Sequence, residues 1–273
     1  MKLVRTIAAV RDELSSPRDR QLRIGLVPTM GAFHEGHLAL IRASVADCDV
    51  TVVSLFVNPT QFGASEDLAR YPRDEERDLG LAEAEGVDLV FAPSVKEVYP
   101  AGFDTAVDVG ELATVLEGAV RPGHFRGVAT VCTKLFHIAW PSAAYFGRKD
   151  AQQVAVIKTL VRDLDLPLEI RVIPTVRDAD GLALSSRNAY LSADERRQAL
   201  ALPRALQTGL DACRAGGGAD GALSAARQML GATEGISVDY VAVADLDGPT
   251  LAAAIRVGST RLIDNVLLEE EPR

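Results

Sequence analysis

Through the first two thirds of the chain, short runs of β-branched and other apolar residues alternate with stretches whose apolar positions recur at helical spacing. The runs fall at residues 24–29, 50–57, 87–92, 143–147 and 168–172, and each predicts a strand. Between them, Leu38, Ile41 and Val45 share one helical face, as do Val131, Leu135 and Ile138, and again Val154, Ile157 and Val161. Strand, helix and strand in repetition imply a parallel sheet covered on both sides, an α/β fold of the doubly wound, Rossmann-like kind. Near Pro174 the pattern changes. A polar loop, VRDADGLALSSRNAYLS, leads into an Ala/Leu/Arg-rich helical pattern, a break at Gly216-Gly217-Gly218 and a second helix. Strand patterns in ISVDYVAVADL, AAIRVG and TRLIDNVLLE follow. Two domains are therefore expected, residues 1–174 and a smaller α+β domain of residues 175–273.

Composition narrows the partners. The 273-residue chain carries a formal net charge of −9, which argues against gripping a nucleic-acid backbone but leaves room for a local pocket that takes one small anion. Cys48, Cys132 and Cys213 are odd in number, far apart and set in apolar or helix-like surroundings. They read as reduced thiols, neither a disulfide framework nor a metal clip, and point to the cytoplasm. Nowhere do about 18 apolar residues run together as a membrane-spanning helix needs, so a soluble protein without a membrane partner is expected.

The chemistry collects where strands turn into helices, which is where open parallel sheets bind ligands. In VPTMGAFHEGHLALI, His34 and His37 stand at the start of a helical pattern, with glycines at 31 and 36. A helix beginning near Glu35 presents unpaired N–H groups and the positive end of its dipole, both suited to a phosphate. An ordinary capped helix with solvent-facing histidines is the competing reading of HxGH by itself. A metalloprotease zinc site needs histidines four apart, and here the spacing is three. Neither a Walker A sequence nor GxGxxG is present.

Four further stretches carry polar groups at such joints. SLFVNPTQFG places Asn58 and Gln61 after a strand, where amides can read hydroxyl and carboxylate groups, or where NP and FG simply make a turn. RPGHFRG breaks the chain before a helix with His124 and Arg126 at its entrance, either an anion site or a plain loop. FGRKDAQQ gathers Lys149, Asp150 and Gln153; lysine suits a phosphate, while Asp150 reads first as a helix cap. In LALSSRNAYLS, Ser185, Ser186 and Arg187 are good partners for a polyphosphate, and Ser192 with Glu195 forms a capping box.

In this order, PTMGAFHEGH, FVNPTQFG, YPR, FRGVATV, FGRKDAQQ and LALSSRN closely resemble the AMP-forming pantoate:β-alanine ligases, a family of the HxGH nucleotidyltransferase superfamily. The resemblance runs from about Leu3 to Leu268. It implies a two-step reaction in which the carboxylate of pantoate attacks the α-phosphate of ATP, and β-alanine then displaces AMP from the pantoyl adenylate.

The resemblance also assigns roles. His34 and His37 steady the α-phosphate, and Lys149, Ser185, Ser186 and Arg187 hold the β- and γ-phosphates. Met30, Gln61, Phe62 and Gln153 bind pantoate. Pro28, Thr29, Met30, Gly36, Gly147, Asp150, Val176 and Leu184 complete the ATP site. Mg²⁺ is expected with ATP, and Asp78 is the candidate ligand. The C-terminal domain is expected to act as a lid, and a homodimer is expected. This chain departs from the family in having Arg77 where an acidic residue is usual, Arg148 where glutamate or glutamine is usual, and Ala151 where an aromatic residue is common. Two other readings stay open: a nucleotidyltransferase that keeps the nucleotide in its final product, and a nucleotide-sensing binding protein.

Overall fold

Parallel strands need long crossover connections, and the alternating pattern supplies them. In the computed structural model, which describes residues 1–64 and 66–269, six strands pair in parallel in the order β1-β4-β3-β2-β5-β6. They are β1 (Lys2–Val4), β2 (Ile24–Thr29), β3 (Val50–Leu55), β4 (Leu89–Phe91), β5 (Ala143–Gly147) and β6 (Glu169–Ile173). Three more, β7 (Ile236–Asp245), β8 (Pro249–Val257) and β9 (Thr260–Leu267), form an antiparallel sheet in sequence order. The expected α/β architecture with a small C-terminal α+β part is present. The short edge strand β1 was not predicted, because three residues in a charged stretch show no period.

The chain divides into two compact units, Met1–Gly147 with Ala155–Ile173, and Arg148–Val154 with everything from Pro174 onward. In the first, Val27, Val53, Val90 and Tyr145 project from the sheet against Leu38 and Ile41 of the helix Glu35–Asp47 and Ala82 of the helix Glu75–Ala84. Val45, expected on that buried face, is exposed. The inward position goes to Ser44, which bonds Thr51 at 2.9 Å where the helix crosses so close to β2 that any side chain at Gly25 would overlap the Ser44 hydroxyl.

The order of strands sets the functional end. From β2 the chain passes to β3 on one side and reaches β5, on the other side, only after β4. That reversal is the switch point of a doubly wound sheet, and the carboxyl ends of β2 and β5 border its ligand-binding crevice.

In the second unit, helices Ala201–Ala212 and Gly218–Gly231 are separated where Gly216 and Gly218 adopt φ of +96° and +59°, the left-handed region that ends a helix. Leu202, Leu206, Ala226 and Leu230 form one apolar cluster with Leu251 and Ile255 of β8. Ser192 and Glu195 make the expected capping box at the helix Ala193–Ala199.

Candidate active site

At the end of β2 the backbone turns through two left-handed residues, Gly31 (φ +88°) and Ala32 (φ +53°). The buried carboxylate of Asp78, from the helix Glu75–Ala84, accepts the N–H groups of Ala32 at 2.7 Å and Phe33 at 2.8 Å and so pins the turn. A Cβ at Gly31 would come within 2.9 Å of Asp78 Oδ2, so both space and φ require glycine there. Burial raises the Asp78 carboxyl above the ordinary carboxylate value, and the two N–H donors offset this only in part.

The turn delivers His34 to the N-cap of the helix Glu35–Asp47. His34 Nδ1 accepts the Gly36 N–H at 3.2 Å, and His37 Nδ1 reaches back to accept the His34 N–H at 3.4 Å. The two histidines thus make a reciprocal capping box, with ring centroids 4.2 Å apart. Because each Nδ1 is an acceptor, each neutral ring carries its proton on Nε2, the atom suited to donate to a phosphoryl oxygen. Gly36 suits the same geometry, since a Cβ there would lie 2.9 Å from His34 Cε1 and displace the capping ring. Capped helix and phosphate site were alternatives in the sequence; the capped helix is present, and the capping bonds use Nδ1 of each ring rather than Nε2. Pro28 and Thr29 close β2 just before this turn, and the Thr29 hydroxyl donates to Ser54 O at 2.7 Å.

The turn Pro59–Gln61 follows β3. Asn58 Nδ2 donates to Gln61 Oε1 at 3.0 Å, and Gln61 Nε2 lies 3.3 Å from Met30 Sδ. Met30 and Gln61 therefore meet, while the neighbouring Phe62 packs edge-on against Tyr71 with centroids 5.9 Å apart. Asn58 is fixed in turn, accepting from Tyr99 Oη at 2.8 Å and donating to Gly127 O at 3.2 Å.

His124, a possible anion ligand in the sequence, is buried at the start of the helix His124–Ala139 and committed inward. Its Nδ1–H donates to Gln61 O at 2.9 Å, and its Nε2 accepts from Arg121 Nη1 at 3.1 Å. Burial and then the Arg121 charge push its pKa down to about 4, so the ring is neutral at physiological pH. Arg121 also holds Glu66 through bonds of 3.0 and 2.6 Å. Burial works to raise the Glu66 carboxyl, but this pair holds it below the ordinary range. Arg126 points to solvent.

The remaining expected residues, apart from Gly147 at the end of β5, belong to the second unit. Lys149 and Asp150 sit in the turn Arg148–Asp150, with Lys149 Nζ 3.6 Å from Asp150 Oδ1, and Gln153 lies in the first turn of the helix Ala151–Asp163. Arg148 pairs with Asp247 at 3.0 Å, so the added charge at this departure has a carboxylate partner. Ala151 is buried. Val176 and Leu184 face each other across a hairpin, where Leu184 N–H donates to Val176 O at 3.0 Å. From it emerges the turn Ser186–Tyr190, capped by Ser185, whose Oγ accepts the Arg187 N–H at 3.3 Å. Ser185, Ser186 and Arg187 are thus together, each half-buried.

The metal assignment fits poorly. Asp78 is about 1% exposed and directs both carboxylate oxygens at backbone N–H groups. Asp78 holds the histidine turn instead. The signal that would have shown this, a carboxylate 45 residues away in sequence bonding the turn backbone, has no local pattern.

A doubly wound parallel sheet whose switch-point helix opens with His-x-Gly-His defines a member of the HxGH nucleotidyltransferase class. Comparison with known proteins narrows this. The model of the family described as pantoate-beta-alanine ligase matches residues 2–267. Pantothenate synthetase of Moorella thermoacetica is 56% identical over 98% of this chain and 99% of its own length. That of Acidobacterium capsulatum is 52% identical over 100% and 98%. The crystal structure of pantothenate synthetase from Thermus thermophilus superposes with a TM-score of 0.93 at 46% identity, covering 99% of this chain and 100% of that one. A pantoate-beta-alanine ligase from Francisella tularensis, complexed with beta-gamma ATP and beta-alanine, superposes with a TM-score of 0.85 at 36% identity over the full length of both chains. The chain belongs to the pantoate-beta-alanine ligase family.

Proposed function

We propose that this chain joins pantoate to β-alanine in two steps, and that the histidine capping box is the observation that carries the reading. In the first step a carboxylate oxygen of pantoate bonds to the α-phosphorus of ATP, and the bond to the β-phosphate oxygen breaks, releasing pyrophosphate. The Nε2–H groups of His34 and His37, with the helix N-terminus behind them, stabilise the charge that gathers on the α-phosphate oxygens. Lys149 and Arg187 neutralise the departing pyrophosphate, and the Ser185 and Ser186 hydroxyls donate hydrogen bonds to it. Gln61 and Gln153 hydrogen-bond pantoate, with Met30 and Phe62 as its apolar walls. In the second step the amine of β-alanine attacks the acyl carbon, an amide forms, the acyl–oxygen bond breaks and AMP leaves with that oxygen.

Pro28, Thr29, Gly36, Gly147, Asp150, Val176 and Leu184 contribute backbone and side-chain contacts to the nucleotide in this reading. The N-terminal unit carries the switch-point chemistry, and the C-terminal unit serves as the lid. Mg²⁺, expected with ATP, would add positive charge against the phosphates when bound, and buried Asp78 does not fit as its ligand. The protein works in the cytoplasm as a homodimer; the three cysteines, none in a disulfide, suit that compartment, and twofold pairing is the commonest symmetry of soluble oligomers. No helix among the described residues is long and apolar enough to cross a membrane.

The test is to incubate the protein with ATP, Mg²⁺ and pantoate, then add β-alanine, following pyrophosphate and AMP separately. Pyrophosphate should depend on pantoate, and sustained AMP release should depend on the amine. Pyrophosphate without pantoate, or AMP that does not respond to β-alanine, would overturn the reading.

A further inference from the structure

Two adjacent polar residues in β9, Asp264 and Asn265, are only 3% and 5% exposed. Successive side chains of a strand project to opposite faces, so the pair reaches two different segments. Asp264 grips Arg177 with two bonds, Nη1 to Oδ2 at 2.6 Å and Nη2 to Oδ1 at 3.0 Å. Arg177 stands at the base of the hairpin, bridged to Ala183, that ends in Ser185, Ser186 and Arg187. Asn265 uses its amide nitrogen twice, donating to Arg148 O at 3.0 Å and to Lys149 O at 2.8 Å.

An apolar residue would suit the interior of β9 better than a primary amide. The amide carbonyl of Asn265 is buried with no hydrogen-bond partner, which leaves the two donated bonds as the gain that offsets burying it. The segment Arg148–Val154, although it follows β5 directly in the chain, groups with the second unit, to which these bonds tie its first two residues. Backbone carbonyls are gripped rather than side chains, so the turn is held without engaging the Lys149 ammonium.

We infer that Asp264 and Asn265 are positioning residues that fix the spacing between Lys149 and the Ser185–Arg187 loop, and thereby serve the step that expels pyrophosphate rather than the step that forms the amide. The inference rests on the phosphate-holding roles proposed above for Lys149 and the loop. Neither residue touches substrate; both act through the segments they tie to a common strand.

The two half-reactions separate the claim from a merely structural role. Pantoate-dependent exchange of labelled pyrophosphate into ATP reads the first, and conversion of supplied pantoyl adenylate with β-alanine reads the second. Asn265→Asp, which sets an oxygen against the two carbonyls, should lower the exchange rate on the order of 10-fold to 10²-fold, the scale of an ångström-sized misplacement. The second half-reaction should change by less than about threefold by the same argument. Asp264→Asn should act in the same direction, more weakly, because it keeps one acceptor for Arg177.

Asn265→Ser, smaller and unable to overpack the strand, carries the test if Asn265→Asp does not fold. Folded variants that exchange pyrophosphate within twofold of the parent chain, or that lose both half-reactions by the same factor, would overturn the inference. Lys149→Ala is the control: if it abolishes exchange while the Asn265 variants do not, only the positioning role falls, whereas normal exchange by Lys149→Ala removes the reading beneath it.

Discussion

His34 accepts the Gly36 N–H as N-cap, and substitution can part this capping from the role proposed for its Nε2–H. Asparagine is a good N-cap without an imidazole. His34→Asn should therefore unfold at nearly the parent temperature yet lose on the order of 10² to 10³ in pyrophosphate exchange, the scale for removing a transition-state donor. His34→Ala should lose the same rate and also about 1 kcal/mol of stability for the missing cap. A His34→Asn variant with parental turnover would remove His34 from the mechanism.

His124 supports a prediction in pH. Its pKa is about 4 in the fold against an ordinary value of 6.5, so the unfolded chain takes up the proton first as pH falls. The stability tied to the neutral ring is complete above pH 6.5 and declines as pH drops toward about 4, by at most about 3 kcal/mol. Denaturant melts at pH 7 and at pH 4.5 should show a larger acid loss in the parent chain than in His124→Gln; equal losses would mean that the ring is not held neutral. The candidate residues were legible, because HxGH, KD and SSR each gather polar groups in a few consecutive positions. Their second partners were not. Asp78, Arg121 and Asn265 act across 45 to 117 residues of sequence, where no local period connects donor and acceptor.

Among the elements, the helix His124–Ala139 lies close against the turn Pro59–Gln61, which carries the amide proposed to bind pantoate. A Cβ on Gly127 would overlap Thr60 O and come within 2.6 Å of Gln61 N, and both are backbone atoms with no rotamer to relieve the clash. Gly127→Ala should push the turn away, costing about 1–3 kcal/mol of stability. The pantoate KM should rise about tenfold, equivalent to about 1.4 kcal/mol, with the ATP KM changed far less. Unchanged pantoate KM in the folded variant would separate this turn from pantoate.

Strands β2, β3 and β5 announced themselves because buried parallel strands read as continuous apolar runs. Gly127 did not stand out, since a glycine inside a helical pattern shows its purpose only when the neighbouring backbone is in place. Val45 was misplaced for a related reason: helical spacing alone does not reveal that a close crossing at Gly25 turns Ser44 inward.

For the whole molecule, a net charge of −9 has to coexist with anionic substrates, and the local cationic groups and one helix N-terminus must do the attracting. Fold class followed from strand and helix alternation, but the grouping of Arg148–Val154 with the C-terminal unit did not, because its partners, Asn265 among them, lie up to 116 to 117 residues downstream. Every role assigned to the two histidines presumes that an oxygen of pantoate attacks the α-phosphorus. The direct measurement is a turnover with pantoate labelled with ¹⁸O in its carboxylate, followed by mass analysis of the nucleotide product. AMP carrying one labelled oxygen is the predicted result, and unlabelled AMP formed alongside the amide would contradict the account.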